Sequence, residues 1–165
     1  MSAERPERRD LDGSGLRVAI VCSRFNGEIT ESLLAAATRT LVELGVREGD
    51  IVCELVPGAF ELPVVAQRFA ASGSVDAVIA LGAVIRGETS HYELVATAAA
   101  SGIARVALDT GVPVIFGVLA TETPEQARAR SGGALGNHGE DAAVAAVDMA
   151  TLMRRVAGGR PTGVR

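Results

Sequence analysis

Between Gly82 and Glu93 an apolar run, Gly82-Ala83-Val84-Ile85, gives way to Arg86-Gly87-Glu88-Thr89-Ser90 and then to His91. An imidazole there can take up and return a proton near neutral pH. Ser90 followed by Glu93 has the spacing of a capping box and predicts a helix start with His91 in its first turn. A short loop through Glu88 and Thr89 then faces the free N–H groups and positive dipole end of that helix, which suits an anion. An acid/base residue and an anion site are thus expected side by side. Phe25, Phe60 and Phe116, three of only four phenylalanines, fall at or near expected strand ends. There they either bind a flat heterocycle or close the top of the core. Phe69, in mid-helix, reads as core. Arg86, Arg128 and Arg130 are candidates for pairing with phosphate or carboxylate, and Glu61 either caps its helix or binds a ligand N–H.

Several other chemistries are excluded by what is missing. All 16 basic residues are arginine, so neither a P-loop nor a lysine Schiff base is available. Gly13-Ser14-Gly15 precedes a strand and is no dinucleotide fingerprint. Two histidines without a spaced carboxylate or thiol cluster make no metal site, and no GxSxG nucleophile elbow occurs. Metal-free acid/base chemistry on a phosphorylated or heterocyclic substrate remains. Cys22 and Cys53 are far from C-x-x-C spacing and are expected as buried, unpaired thiols.

The elements that position these residues are read from hydrophobic pattern and punctuation. Apolar segments at 16–22, 51–56, 77–85 and 112–119 predict four strands. Helical patterns separate them: about 28–44, stopping at Gly45; about 61–71, ending near Gly73; and from Ser90 to Gly111. Thr123-Pro124-Glu125-Gln126 starts a short fourth helix that breaks at Gly132-Gly133, and the last spans about 140–156, with acids in its first turn and Arg154-Arg155 in its last. Alternation of strand and helix predicts an α/β fold: three layers, α/β/α, around a four-stranded parallel sheet, flavodoxin-like, with a possible extra N-terminal strand. In such sheets ligands bind beyond the carboxyl ends of the strands. One domain is expected over 16–157, between tails at 1–15 and 158–165.

With 165 residues, 48% of them hydrophobic and few aromatic, the core draws on Ala, Val, Leu and Ile, and extra apolar surface points to self-association. No apolar run reaches the roughly 18 residues that span a bilayer, and the charged N-terminus resembles no targeting segment. A soluble cytoplasmic chain is expected. Net charge is −4 and the one basic cluster, Arg5 to Arg9, is interrupted by Pro6 and Glu7, so it reads as a solvated tail and not a nucleic-acid face.

Taken together, Arg24-Phe25-Asn26 after the first strand, Pro57-Gly58-Ala59-Phe60-Glu61 after the second, Gly82 to His91 after the third, Phe116-Gly117 in the fourth and Asn137-x-Gly139 before the last helix resemble the lumazine synthase family. The likeness runs from about residue 16 to 156. It implies condensation of 5-amino-6-(D-ribitylamino)uracil with 3,4-dihydroxy-2-butanone 4-phosphate to 6,7-dimethyl-8-ribityllumazine, the riboflavin precursor, with release of phosphate and no cofactor. By resemblance, Phe25 stacks on the pyrimidine, Ala59, Phe60 and Glu61 line its pocket and hold the ribityl chain, and Ala83, Val84 and Ile85 contact its edge. Glu88 and Thr89 correspond to the phosphate loop and His91 to the proton-transfer residue, while Phe116 and Arg130 come from a neighbouring subunit. A homopentamer is implied, and in many members a 60-subunit icosahedral shell. The short loop from Arg130 to Gly139 resembles shell-forming members, whereas Pro6 and nearby charges oppose the N-terminal strand that joins a neighbour's sheet. One position departs: His138 stands where the family usually has a lysine near the phosphate, which makes phosphate affinity pH-dependent. Two rival readings are a flavin- or lumazine-binding homologue or shell protein with weak catalysis, and a flavodoxin-like binding module.

Overall fold

The run Val18–Ser23 carries no charge and is buried along its whole length, as a strand covered on both faces by helices must be. This strand, β1, lies inside a four-stranded parallel sheet of order β2-β1-β3-β4, where β2 is Ile51–Val56, β3 is Ala77–Ile85 and β4 is Val114–Thr121. The structure, a computed structural model, describes residues 11–158. The basic cluster at Arg5 to Arg9, the possible N-terminal strand and the C-terminal tail beyond residue 158 lie outside the described residues. Register fixes where the strands end: Ser23 is level with Val56, and Ile85 with Thr121. Since Cys22 pairs with Leu81, β3 runs on past the end of β1.

Helices cover both faces, as the alternating pattern predicts. On one face α1 (Gly27–Glu43) and α5 (His138–Ala157) pack on Ile20, Ile79, Leu81 and Leu119. On the other, α2 (Leu62–Ala71) and α3 (His91–Thr110) pack on Ala19, Val21, Val78, Ala80 and Val118. The short α4 (Pro124–Arg130) leads into a small antiparallel hairpin, β5 (Ser131–Gly133) and β6 (Gly136–Asn137), which the sequence pattern does not foresee. β4 begins two residues later and ends two later than its apolar run, because pairing with β3 continues to Thr121. Among the described residues no helix is long and apolar enough to cross a membrane.

The apolar stripe of α1, Ile29, Leu33, Ala37 and Leu41, recurs every four residues and so stays on one face. It meets the small residues Ala142, Ala143, Ala146 and Ala150 of α5, which let the two helices approach closely. Asn137 caps α5, its Oδ1 accepting the Gly139 N–H at 2.8 Å. Arg39 reaches across to Glu140 at 2.7 Å, and Arg154 ties the far end of α5 to Asp76 at 2.9 Å. At the end of α3, Gly111 takes φ 70°, the left-handed cap that halts the helix.

One expectation about the thiols is corrected. Cys22 is buried, but Cys53 is exposed, because β2 is an edge strand whose residues 52–55 all face solvent. Burial, followed by the charge of a Cys53 thiolate, pushes the Cys22 thiol up to about 12 from an ordinary 9.0. A thiol reagent at pH 8 is therefore expected to modify Cys53 first and Cys22 only on unfolding, as read by mass of labelled peptides. Because the folded state holds the Cys22 proton more tightly, its contribution is complete below pH 9.0 and is lost as pH rises toward about 12. Cys22→Ala is expected to flatten stability against pH over that window.

Candidate active site

The loops after β1, β2 and β3 are knitted into one platform. The Arg24 N–H donates to the Val56 carbonyl at 2.8 Å and the Phe25 N–H to the Pro57 carbonyl at 3.2 Å, so the β1–β2 ladder continues past the strand ends. Asn26 is the one non-glycine among the described residues with positive φ, at 58°, a conformation asparagine tolerates. Its Nδ2 donates to the Ala83 carbonyl at 2.8 Å, stapling the β1 loop to the end of β3. Phe25 and Phe60 are left 72% and 62% exposed on this platform. Two large rings held at solvent by ordered backbone do not close the top of the core, and they leave an exposed apolar surface beyond the strand ends.

Ala59, Phe60 and Glu61 form a 3₁₀ turn between β2 and α2. Glu61 adopts the capping alternative, its Oε2 accepting the Gly58 N–H at 2.9 Å. Ala83 is buried and Val84 and Ile85 are half-buried at the end of β3. Beyond them Glu88, Thr89 and Ser90 are exposed, and α3 begins at His91, itself exposed. The helix starts where the spacing predicts, yet the capping box is not made. Ser90 forms no side-chain cap bond; Thr89 Oγ1 accepts the His91 N–H at 3.4 Å, and Glu93 turns to Arg86 instead. A charge-assisted pair outcompetes a bond to a neutral N–H.

Of the three candidate anion-binding arginines, two are already committed. Arg86 pairs with Glu93 and, at 2.5 Å, with Glu122, and its guanidinium lies 4.4 Å over the Tyr92 ring. Arg86 in turn holds the Glu93 carboxyl below its ordinary 4.5, so that pair persists above pH 4.5 and is lost only as pH falls through the lowered value. Arg128 sits 3.5 Å from both Glu28 and Glu125. Arg130, half-buried at the end of α4, donates Nη1 to the Gln126 carbonyl at 2.9 Å and has no carboxylate partner among the described residues. The signal missing from the sequence was register: Glu122 reaches Arg86 because Ile85 and Thr121 are paired.

The remaining candidates are placed elsewhere. Phe116 is corrected from a strand end to the third residue of β4, five residues short of Thr121 and so about 16 Å from the strand's carboxyl end. It is 46% exposed on an edge strand. His138 is the first residue of α5, half-buried. The connection carrying Arg130 and His138 is anchored on α1: Ser32 Oγ donates to the Ser131 carbonyl at 2.6 Å, and Asn137 Nδ2 donates to the Ser32 carbonyl at 3.3 Å. Arg130 and His138 thus belong to the α1–α5 side of the sheet, whereas His91 heads α3 on the other. With this geometry in hand, comparison with known families finds that a model described as 6,7-dimethyl-8-ribityllumazine synthase matches residues 15–154.

Proposed function

The chain belongs to the 6,7-dimethyl-8-ribityllumazine synthase family, and on that premise we propose that it condenses 5-amino-6-(D-ribitylamino)uracil with 3,4-dihydroxy-2-butanone 4-phosphate. The observation that carries this reading is the knitted platform that holds Phe25 and Phe60 at solvent and runs into the helix start at His91. Phe25 stacks on the pyrimidine, Ala59, Phe60 and Glu61 line the pocket and hold the ribityl chain, and Ala83, Val84 and Ile85 meet the ring edge. Glu88, Thr89 and the N–H groups opening α3 receive the phosphate. The uracil's primary amine attacks the ketone and loses water, forming an imine between the two substrates, so no lysine is required. His91 moves the proton whose removal accompanies departure of phosphate, and attack of the second amine on the remaining carbonyl, with loss of a second water, closes the ring and gives the lumazine. Holding two reactants in register supplies most of the rate, with about 10²-fold from the imidazole.

Phe116 and Arg130 enter this site from a second copy. The distance of Phe116 from its own strand's carboxyl end supports that assignment, as does the exposure of an apolar ring on an edge strand. A site shared between copies agrees with the homopentamer that the family resemblance implies, alone or within a 60-subunit shell; light scattering separates the two. Mixing purified protein with both substrates and following lumazine absorbance tests the activity. Turnover well above the uncatalysed rate is expected, whereas background turnover with tight flavin binding would favour a binding homologue. His138, at the start of α5, takes part in holding the phosphate. His138→Lys is therefore expected to lower KM for the butanone phosphate several-fold at pH 8, since an ammonium stays charged there. An equal or higher KM would remove position 138 from the phosphate site.

A further inference from the structure

Arg86 is not among the residues assigned to substrate above, yet it gathers four contacts around the loop that leads to His91. Its backbone N–H donates to the Thr121 carbonyl at 2.9 Å, and its side chain takes Glu93, Glu122 at 2.5 Å, and the Tyr92 ring at 4.4 Å. Residues 92 and 93 follow His91 directly, so these contacts close a ring over residues 87–91. Inside that ring the side-chain tie at the helix start is weak: Thr89 Oγ1 accepts the His91 N–H at 3.4 Å, and Gly87, Glu88 and Thr89 are exposed. We propose that Arg86 is a positioning residue that clamps the 87–90 loop and the head of α3 against the ends of β3 and β4, and through them sets the place of His91 and of the phosphate loop. The functional half of this statement rests on the reading above.

Charge and shape both favour this role. A guanidinium already shared between two carboxylates has no net positive charge to offer a phosphate, which removes Arg86 from the substrate-binding set. Its planar fork serves two acids in different directions while its face lies on an aromatic ring, and the point charge of a lysine cannot do both. Exposed ion pairs of this kind contribute little to global stability. Their effect is local order, and a catalytic group displaced by about 1 Å costs up to about 10²-fold in rate.

The test compares wild type with Arg86→Gln, Arg86→Lys, and Arg86→Gln combined with Glu93→Gln, by amide hydrogen exchange, melting temperature and steady-state kinetics on each substrate. In Arg86→Gln, exchange of peptides covering 87–93 is expected to accelerate at least about tenfold while β1 and α5 keep wild-type protection and the melting temperature moves little. The kcat is expected to fall about tenfold and KM for the butanone phosphate to rise several-fold, with KM for the uracil, held on the Phe25 and Phe60 platform, unchanged. Arg86→Lys is expected to recover only part of the protection, and adding Glu93→Gln to cost nothing further. Wild-type exchange at 87–93 in Arg86→Gln overturns the clamp, as does a uniform loss of protection or of both KM values. Exchange is read without catalysis: a wild type that makes no lumazine, with 87–93 loosened in Arg86→Gln, refutes the proposed activity and upholds the clamp.

Discussion

Gly139→Ala is expected to lower the melting temperature by about 6–12 °C, corresponding to about 3 kcal/mol at roughly 2–4 °C per kcal/mol for a domain of this size. A Cβ at this position would lie 2.1 Å from the Leu33 carbonyl oxygen, 2.8 Å from its carbon and 2.9 Å from Asn137 Oδ1. The first two are backbone atoms of α1, inside its buried stripe, and cannot swing aside as a side-chain tip can. The start of α5 must therefore withdraw from α1, loosening the Asn137 cap, the bond from Asn137 to the Ser32 carbonyl and the bond from Ser32 to the Ser131 carbonyl. Arg130 and His138 sit on that same connection, so activity should fall with stability. Gly49→Ala is the control, since nothing lies within 4 Å of a Cβ there and its φ is not positive; its melting temperature is expected to stay within about 2 °C. Wild-type melting of Gly139→Ala by circular dichroism would mean that α5 does not approach α1 this closely.

What could be read from the chain beforehand follows from which forces act locally. β1 and β3 were legible because helices cover both their faces, which demands an unbroken apolar run. The start of α3 was also legible, though its cap works differently: Ser90 is the N-cap, while Glu93 leaves the capping box for Arg86. That exchange depends on β3 and β4 being in register, a long-range fact no local spacing encodes. The exposure of Cys53 has the same origin, since a strand becomes an edge only once the order β2-β1-β3-β4 is known. The hairpin of β5 and β6 has no signature in the sequence, because three and two residues, rich in glycine, carry no period. Phe116 lies farther from the carboxyl end than its apolar run suggests because β4 is shifted two residues along the chain, which makes the ring third of its eight residues. The sequence puts Phe25 and Phe60 after strands and leaves open whether they bind a heterocycle or close the core; their exposure comes from the fold, where the backbone bond from Phe25 to Pro57 and the side-chain bond from Asn26 to the Ala83 carbonyl hold the platform.

Arg130→Gln is expected to lower kcat/KM for the butanone phosphate by about 10²-fold while leaving KM for the uracil within about twofold. A charge-assisted bond to a phosphate contributes about 1.5–3 kcal/mol, and 1.4 kcal/mol is tenfold. The departing phosphate gains charge as its bond to carbon breaks, so part of the loss belongs in kcat and not only in KM. Glutamine keeps much of the side chain's reach, and its amide N–H can still donate to the Gln126 carbonyl that Arg130 Nη1 now meets, so the end of α4 should persist and melting should be unchanged. The decisive comparison is Arg128→Gln. Arg128 lies only two residues away on the same helix, but Glu28 and Glu125 already neutralise it, so its loss should cost less than about threefold. Equal losses at the two positions would mean that the general charge of α4, rather than Arg130 with no carboxylate partner among the described residues, draws in the phosphate. High salt separates the same alternatives, because a diffuse field is screened over roughly 8–10 Å whereas a contact in a half-buried site is not. A loss at Arg130 that persists at high ionic strength identifies direct contact, and mixed assemblies test the proposed shared site: if Arg130 reaches the site of a second copy, Arg130→Gln subunits combined with His91→Asn subunits should regain activity only where a wild-type Arg130 faces a wild-type His91 across a subunit boundary.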